Sequence, residues 1–256
     1  MIVTYKEDGW DVITQRAHGI LAAQIGYHWK AKEQPARWCE TVLAIAEHDD
    51  AEVELSGEKL LTATGGPLDY SMKTFDLAHC RMLSMLTMTK SSYISLLTSL
   101  HMDFLYAKDA TSDPKAKAFL KEQKLYRSVL ARRLKIHEAD YKKLYSILEW
   151  CDALSLLLCK GLVQPEKRII EISTGPDERV YHLQQISEGM LTIEPWPFDT
   201  KSLELYVEKR SIPKLSFASA LEFRDEFKKA DTTEMRWYLQ QKSPKASARP
   251  SKSKKL

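Results

Sequence analysis

Thr41 to Asp50 reads TVLAIAEHDD. Val42, Leu43 and Ile45 mark a helix bound for the interior, and the run stops on three ionisable residues, His48, Asp49 and Asp50. A buried carboxylate is costly unless something compensates its charge. A divalent cation is the commonest device that makes adjacent His and Asp welcome inside a protein. A His-Asp doublet alone is frequent by chance, so its meaning depends on whether other helices carry ligand types in similar apolar surroundings.

They do. Upstream, Met1 to Gln15 alternates about Asp8-Gly9 as a β-hairpin, and Thr14 supplies a cap for a helix over about 16–31 that carries His18 in its first turn. The doublet helix is expected to open at Pro35 and run to His48. A glycine-containing loop to Tyr70 follows, and then helical patterns over about 73–89 with His79 and 92–108 with His101. Asp113-Pro114 starts a charged, solvent-facing helix. Glu138 to Lys160 is the strongest helical pattern, ended by Gly161. Within it Asp152 stands in an almost wholly apolar run, the second anomaly of the chain.

Beyond Gly161 the runs RIIEIS, RVYHLQQI, MLTIEPWPF and SLELYVEKR predict an antiparallel sheet of about four strands, joined by the N-terminal hairpin. A short helix over 218–230 and a strand-like MRWYL follow. The polar residues embedded in helices, His18, His48, Asp49, His79, His101 and Asp152, are of the kind that helical bundles turn inward to bind metal.

This order of ligands resembles the HD-domain superfamily of metal-dependent phosphohydrolases. More narrowly, VITQRAHGILA, LAIAEHDD, TGGPLDY, LLTSLH and CDALSLLLC resemble an uncharacterised bacterial family of unknown function with an HD-like core, a likeness reaching to about residue 240. The resemblance implies a mostly α fold: an HD-like helical bundle of about six helices, with an appended antiparallel sheet from the C-terminal part and the N-terminal hairpin. The domains expected are 1–161 (helical, with the hairpin), 162–241 (β-rich) and 242–256 (a disordered basic tail). His18, His48, Asp49 and Asp152 are the implied ligands of one ion, and His79 and His101, with Asp49 bridging, those of a second. Imidazole with carboxylate suits Mn, Fe, Ni, Co or Zn, one or two per chain. The catalytic candidates are Asp49, Asp50 (or Glu47) to orient the attacking water, and Arg16 (or Arg81) to neutralise a phosphate.

Three functions are consistent with this reading: a phosphohydrolase acting on a phosphate ester or nucleotide, a di-iron oxygenase on the same scaffold, or a non-catalytic metal- or ligand-sensing module. The partner expected is a small phosphorylated substrate, with no membrane and no nucleic acid beyond contacts of the tail. No P-loop, dinucleotide glycine motif or Ser-His-Asp arrangement is present. The formal charge of +3 hides a polarity, since the last fifteen residues hold six basic and no acidic residues and the rest of the chain carries −3. Cys39, Cys80, Cys151 and Cys159 fit no zinc or disulfide spacing and are expected as reduced core residues of a cytoplasmic protein. No apolar run approaches the length of a membrane span.

Overall fold

The computed structural model describes residues 1–57 and 59–242. Seven strands form one sheet: β1 (Ile2–Lys6), β2 (Gly9–Ile13), β3 (Ile169–Thr174), β4 (Val180–Ser187), β5 (Met190–Glu194), β6 (Ser202–Ile212) and β7 (Asp231–Gln240). Seven α-helices accompany it: α1 (Gln15–Tyr27), α2 (Trp38–Ala46), α3 (Leu77–Met88), α4 (Ser92–Tyr106), α5 (Pro114–Leu134), α6 (Tyr141–Cys159) and α7 (Ala220–Lys229).

The sheet corrects the expected architecture. It is a curled half-barrel with mixed pairing, and the described residues are 46% helix and 22% strand, not a helical bundle with a small antiparallel sheet appended. Its order is β1-β2-β6-β7-β5-β4-β3, antiparallel throughout except for β5 against β7. The mixed pairing arises at β7, whose Tyr238 and Leu239 run parallel to Met190 and Leu191 of β5. Only the second half of β7, MRWYL, has strand-like composition, yet the polar Asp231–Glu234 also pairs with β6 and extends the strand to ten residues. These four residues are exposed, so no buried alternation betrays them.

Both ends of the chain contribute to the sheet, since β2 pairs with β6 through Trp10↔Ile212 and Val12↔Arg210. One face of it meets α1 and α6 in one continuous core. There Trp29 and Trp150 stack edge to face at 5.0 Å, beside Tyr181 and Phe198. A separate apolar cluster joins α7, through Phe223 and Phe227, to Val12 and Ile212, and a third joins α3, α4 and α5 through Cys80, Met102 and Phe119.

Helix ends largely follow the capping chemistry. Thr14 accepts from Ala17 N, Asp113 accepts from Lys115 N ahead of Pro114, and Gly161 takes φ +64° just beyond α6. The doublet helix is shorter than Pro35 to His48 suggests. It begins at Trp38 and stops at Ala46, so His48 and Asp49 lie in the turn beyond it. α3 likewise starts at Leu77, where Asp76 caps it, rather than at Lys73. The four cysteines are free, but Cys39 is exposed and not a core residue. Residues 243–256, most of the tail expected to be disordered, lie outside the described residues. No helix among the described residues is long and apolar enough to cross a membrane.

Candidate metal centre

Three helices and one turn bring the donors together. α1 approaches the end of α2 so closely that a Cβ added at Gly19 would lie 2.4 Å from the carbonyl oxygen of Ala46. Only glycine permits that approach. It sets His18, the preceding residue, against His48, which follows Ala46 by two. The Nε2 atoms of these two histidines are 3.0 Å apart. His18 Nε2 lies 3.6 Å from Asp49 Oδ2 and 3.4 Å from Asp152 Oδ1; His48 Nε2 lies 3.5 Å from each. His18, His48 and Asp152 are all buried.

The tautomers follow from the other ring nitrogens. His48 Nδ1 is 2.7 Å from the carbonyl oxygen of Ile45, which only accepts, so Nδ1 carries the hydrogen. Ser155 donates its hydroxyl to the carbonyl oxygen of Asp152 at 2.8 Å, and it therefore accepts from His18 Nδ1 at 2.7 Å. Both Nε2 atoms thus face inward, beside two carboxylate oxygens. Four acceptors converge and share at most one proton among them.

The electrostatics ask for positive charge at this point. Burial alone would depress His48, but Asp49 and Asp152 outweigh it and carry its pKa up to about 9. Burial likewise opposes ionisation of Asp49 and Asp152, yet the imidazolium of His48, chief among the favourable contributions, holds both below the usual carboxylate range. His101, on α4, is brought down to about 4 by burial and by the charge on His48, so it is a neutral imidazole. Its Nδ1 is 3.0 Å from the hydroxyl of Tyr145. Two donor groups result, His18-His48-Asp152 and His48-Asp49-His101, and they share His48.

Of the residues singled out in the sequence, five converge here: His18, His48, Asp49, His101 and Asp152. His79 does not join either donor group; its Nδ1 faces Glu52 Oε1 at 3.6 Å, across the cleft that leads to the centre. Arg16 and Asp50 pair with each other at 2.9 Å, and Asp50 also meets Lys90, so both are engaged away from the cleft lining.

Sequence reasoning passed over the supporting residues. Gln15 donates from Nε2 to Asp49 Oδ2 at 2.9 Å, and Ser155 and Tyr145 fix two of the imidazoles. Ser155 stands one helical turn after Asp152, and Tyr145 two turns before it. That spacing is the only signal that could have found them. The cleft encloses about 230 Å³, and Tyr70, Lys73, Phe75 and Tyr106 are among the residues that line it.

No curated protein and no solved structure matches the chain. One protein family does, and it bears out the resemblance to an uncharacterised family but gives no support to an HD-domain assignment. Its description is "Protein of unknown function (DUF3891)", and it matches residues 1–214, a span that contains every donor named above. The chain belongs to this family of unknown function.

Proposed function

We propose that the protein is a metal-dependent phosphohydrolase of HD type, working in the cytoplasm on a small phosphate ester. The observation that carries this reading is that the Nε2 atoms of His18 and His48, 3.0 Å apart, each lie within 3.6 Å of a carboxylate oxygen of Asp49 and of Asp152, with His18, His48 and Asp152 buried. Such a set fits a divalent transition ion such as Mn, Fe, Co, Ni or Zn, with no thiolate to close the site. His18, His48, Asp49 and Asp152 would hold it, with His101 the added donor for a second ion. When bound, the ion supplies a Lewis acid and lowers the pKa of water at the site.

The chain's own groups do the rest. Ser155 and the Ile45 carbonyl lock the two imidazoles with Nε2 inward, and the Gln15 amide orients Asp49. His101 stays neutral and so keeps a lone pair available. Lys73, paired with Glu52 in the cleft wall, is the lysine placed to meet an anionic substrate, whereas Arg16 is engaged with Asp50. A cleft of about 230 Å³ favours a small ester over one that must be wholly enclosed with a large leaving group.

Elemental analysis of protein made without a histidine tag, followed by a panel of phosphate esters and nucleotides with each metal restored, tests the proposal. Metal near or above one equivalent with ester hydrolysis supports it. Metal without hydrolysis on any ester leaves a sensing module, and less than about a tenth of an equivalent after reconstitution removes the metal reading altogether. The second donor group favours one further reading, a di-iron oxygenase. Iron content and visible absorption of aerobically purified protein distinguish it.

A further inference from the structure

Helix α5 and its C-cap Lys135 concentrate positive charge as no other helix or strand among the described residues does. They hold eight Lys and Arg residues and one acidic residue, Glu122, so the remainder of the chain carries a net −4. Of the eight, only Arg127 makes an ion pair among the described residues, with Asp103 at 3.2 Å. Lys115, Lys117, Lys121, Lys124, Arg132, Arg133 and Lys135 are exposed with no acidic partner. Surfaces that serve only solubility intersperse the two signs. Here Lys117, Lys121, Lys124 and Arg132 follow at i, i+4, i+7 and i+15, which puts them on one stripe of the helix.

A second observation stands beside the stripe. Leu125 and Val129, on the adjoining face of α5, are 66% and 52% exposed. α3 runs alongside, tied on by Arg81 to Glu122 and by Gln123 to Ser84, and it exposes Met82, Met85 and Met88 at successive turns. Unpaired cations beside protruding aliphatic side chains match an interface that is anionic at the headgroups and apolar just below. A nucleic acid would satisfy the lysines and leave Leu125, Val129 and the methionines facing water. A second copy of the chain would set the two basic stripes against each other.

We propose that the α5 face, with the methionines of α3 beside it, docks the protein on an anionic lipid surface. Lysines and Arg132 meet the headgroups, and Leu125, Val129 and the methionines reach the acyl boundary. This is peripheral contact, requires no spanning helix, and is independent of the metal centre.

Co-sedimentation of the full chain with phosphatidylcholine vesicles, with and without phosphatidylglycerol, tests it. Binding is expected only with the anionic lipid. The variant Lys117→Gln/Lys121→Gln/Lys124→Gln/Arg132→Gln should lower partitioning on the order of a thousandfold at low salt. Leu125→Ser/Val129→Ser should remove the part of the binding that survives high salt. All these positions are exposed, and unchanged melting verifies the folds. The proposal is overturned if the charge variant binds as wild type, which would assign the attraction to the basic C-terminal residues. It is equally overturned if neutral vesicles bind as well, if a single-stranded oligonucleotide binds through the same lysines while vesicles do not, or if Leu125→Ser/Val129→Ser converts a dimer to a monomer without affecting lipid binding.

Discussion

His18 and His48 face each other through Nε2 atoms 3.0 Å apart, and each gives its Nδ1 hydrogen to a different acceptor, Ser155 or the Ile45 carbonyl. Two lone pairs at that distance, flanked by carboxylates, repel unless a cation or a proton lies between them. Chelation of the purified protein should therefore lower its melting temperature, and restoring the metal should reverse the loss. His48→Ala and Asp152→Ala should each abolish metal binding. Asp152→Ala should melt close to chelated wild type, because the apolar surroundings of α6 accept a small side chain; full metal retention with early unfolding would make Asp152 a structural residue instead.

Ser155→Ala tests the tautomer argument. The side chain is fully buried and contacts His18, so its loss leaves His18 Nδ1 without an acceptor and free to take the wrong tautomer. Metal affinity should fall by about ten- to a hundredfold with the helical circular-dichroism signal intact. Calorimetric titration of metal into the chelated variant measures it, and wild-type affinity would mean that Ser155 does not set the imidazole.

The stability of the metal-free protein should depend on pH with a defined sign. His48 has a folded pKa of about 9 against an ordinary 6.5, so its contribution is complete below pH 6.5 and is lost as pH rises towards 9. His101, brought down to about 4, works the other way: its contribution is present above pH 6.5 and lost as pH falls towards 4. Chelated protein should melt highest near pH 6.5. Metal competes with the proton on His48, so the gap between loaded and chelated melting curves should widen from pH 6.5 to 9.

His79 and His101 separate by position. His101 belongs to a donor group with His48 and Asp49, whereas His79 faces Glu52. With two ions bound, His101→Ala should lose about half of the metal, and His79→Ala should keep all of it. Metal-to-protein ratios after gel filtration decide this, and wild-type stoichiometry in His101→Ala would make the centre mononuclear.

Gly19→Ala should disturb the centre without touching a donor. The new methyl group would meet the Ala46 carbonyl at 2.4 Å and force α1 away from the end of α2. A destabilisation of about 2 kcal/mol is expected from such overpacking, together with weaker metal binding because His18 moves with the helix. Ala at this position with unchanged affinity would show that the two segments yield elsewhere.

The donors were legible in the sequence because each violates its surroundings: Asp152 in a leucine-rich helix, and His101 at the end of an apolar run. The same logic failed for His79, which is half-exposed at the cleft wall and violates nothing. Arg16 lies two residues before His18, but on a helix that separation turns its side chain away, to Asp50. Gln15 and Ser155 were invisible because uncharged polar residues in a first turn or a helix interior have ordinary explanations. Gly19 was invisible because the constraint on it is the Ala46 carbonyl, and no local pattern records a contact between helices. The helices and strands could be read from period, caps and turns, whereas the order of the sheet could not, since β2 meets β6 across some two hundred positions and β7 enters between β6 and β5.

The placing of β7 has a consequence for how the chain reaches this form. β7 is the last strand of the described residues, yet it lies in the middle of the sheet, between β6 and β5. Until it arrives, β1-β2-β6 and β5-β4-β3 are two separate ribbons, each with an open inner edge, and the family match at 1–214 stops short of the strand that joins them. During synthesis the helices and their metal donors emerge first and wait beside an unfinished wall. The final thirty or so residues of the described chain then act as a keystone, and a ribosome that stalls before them releases two exposed strand edges, ready to pair with other chains.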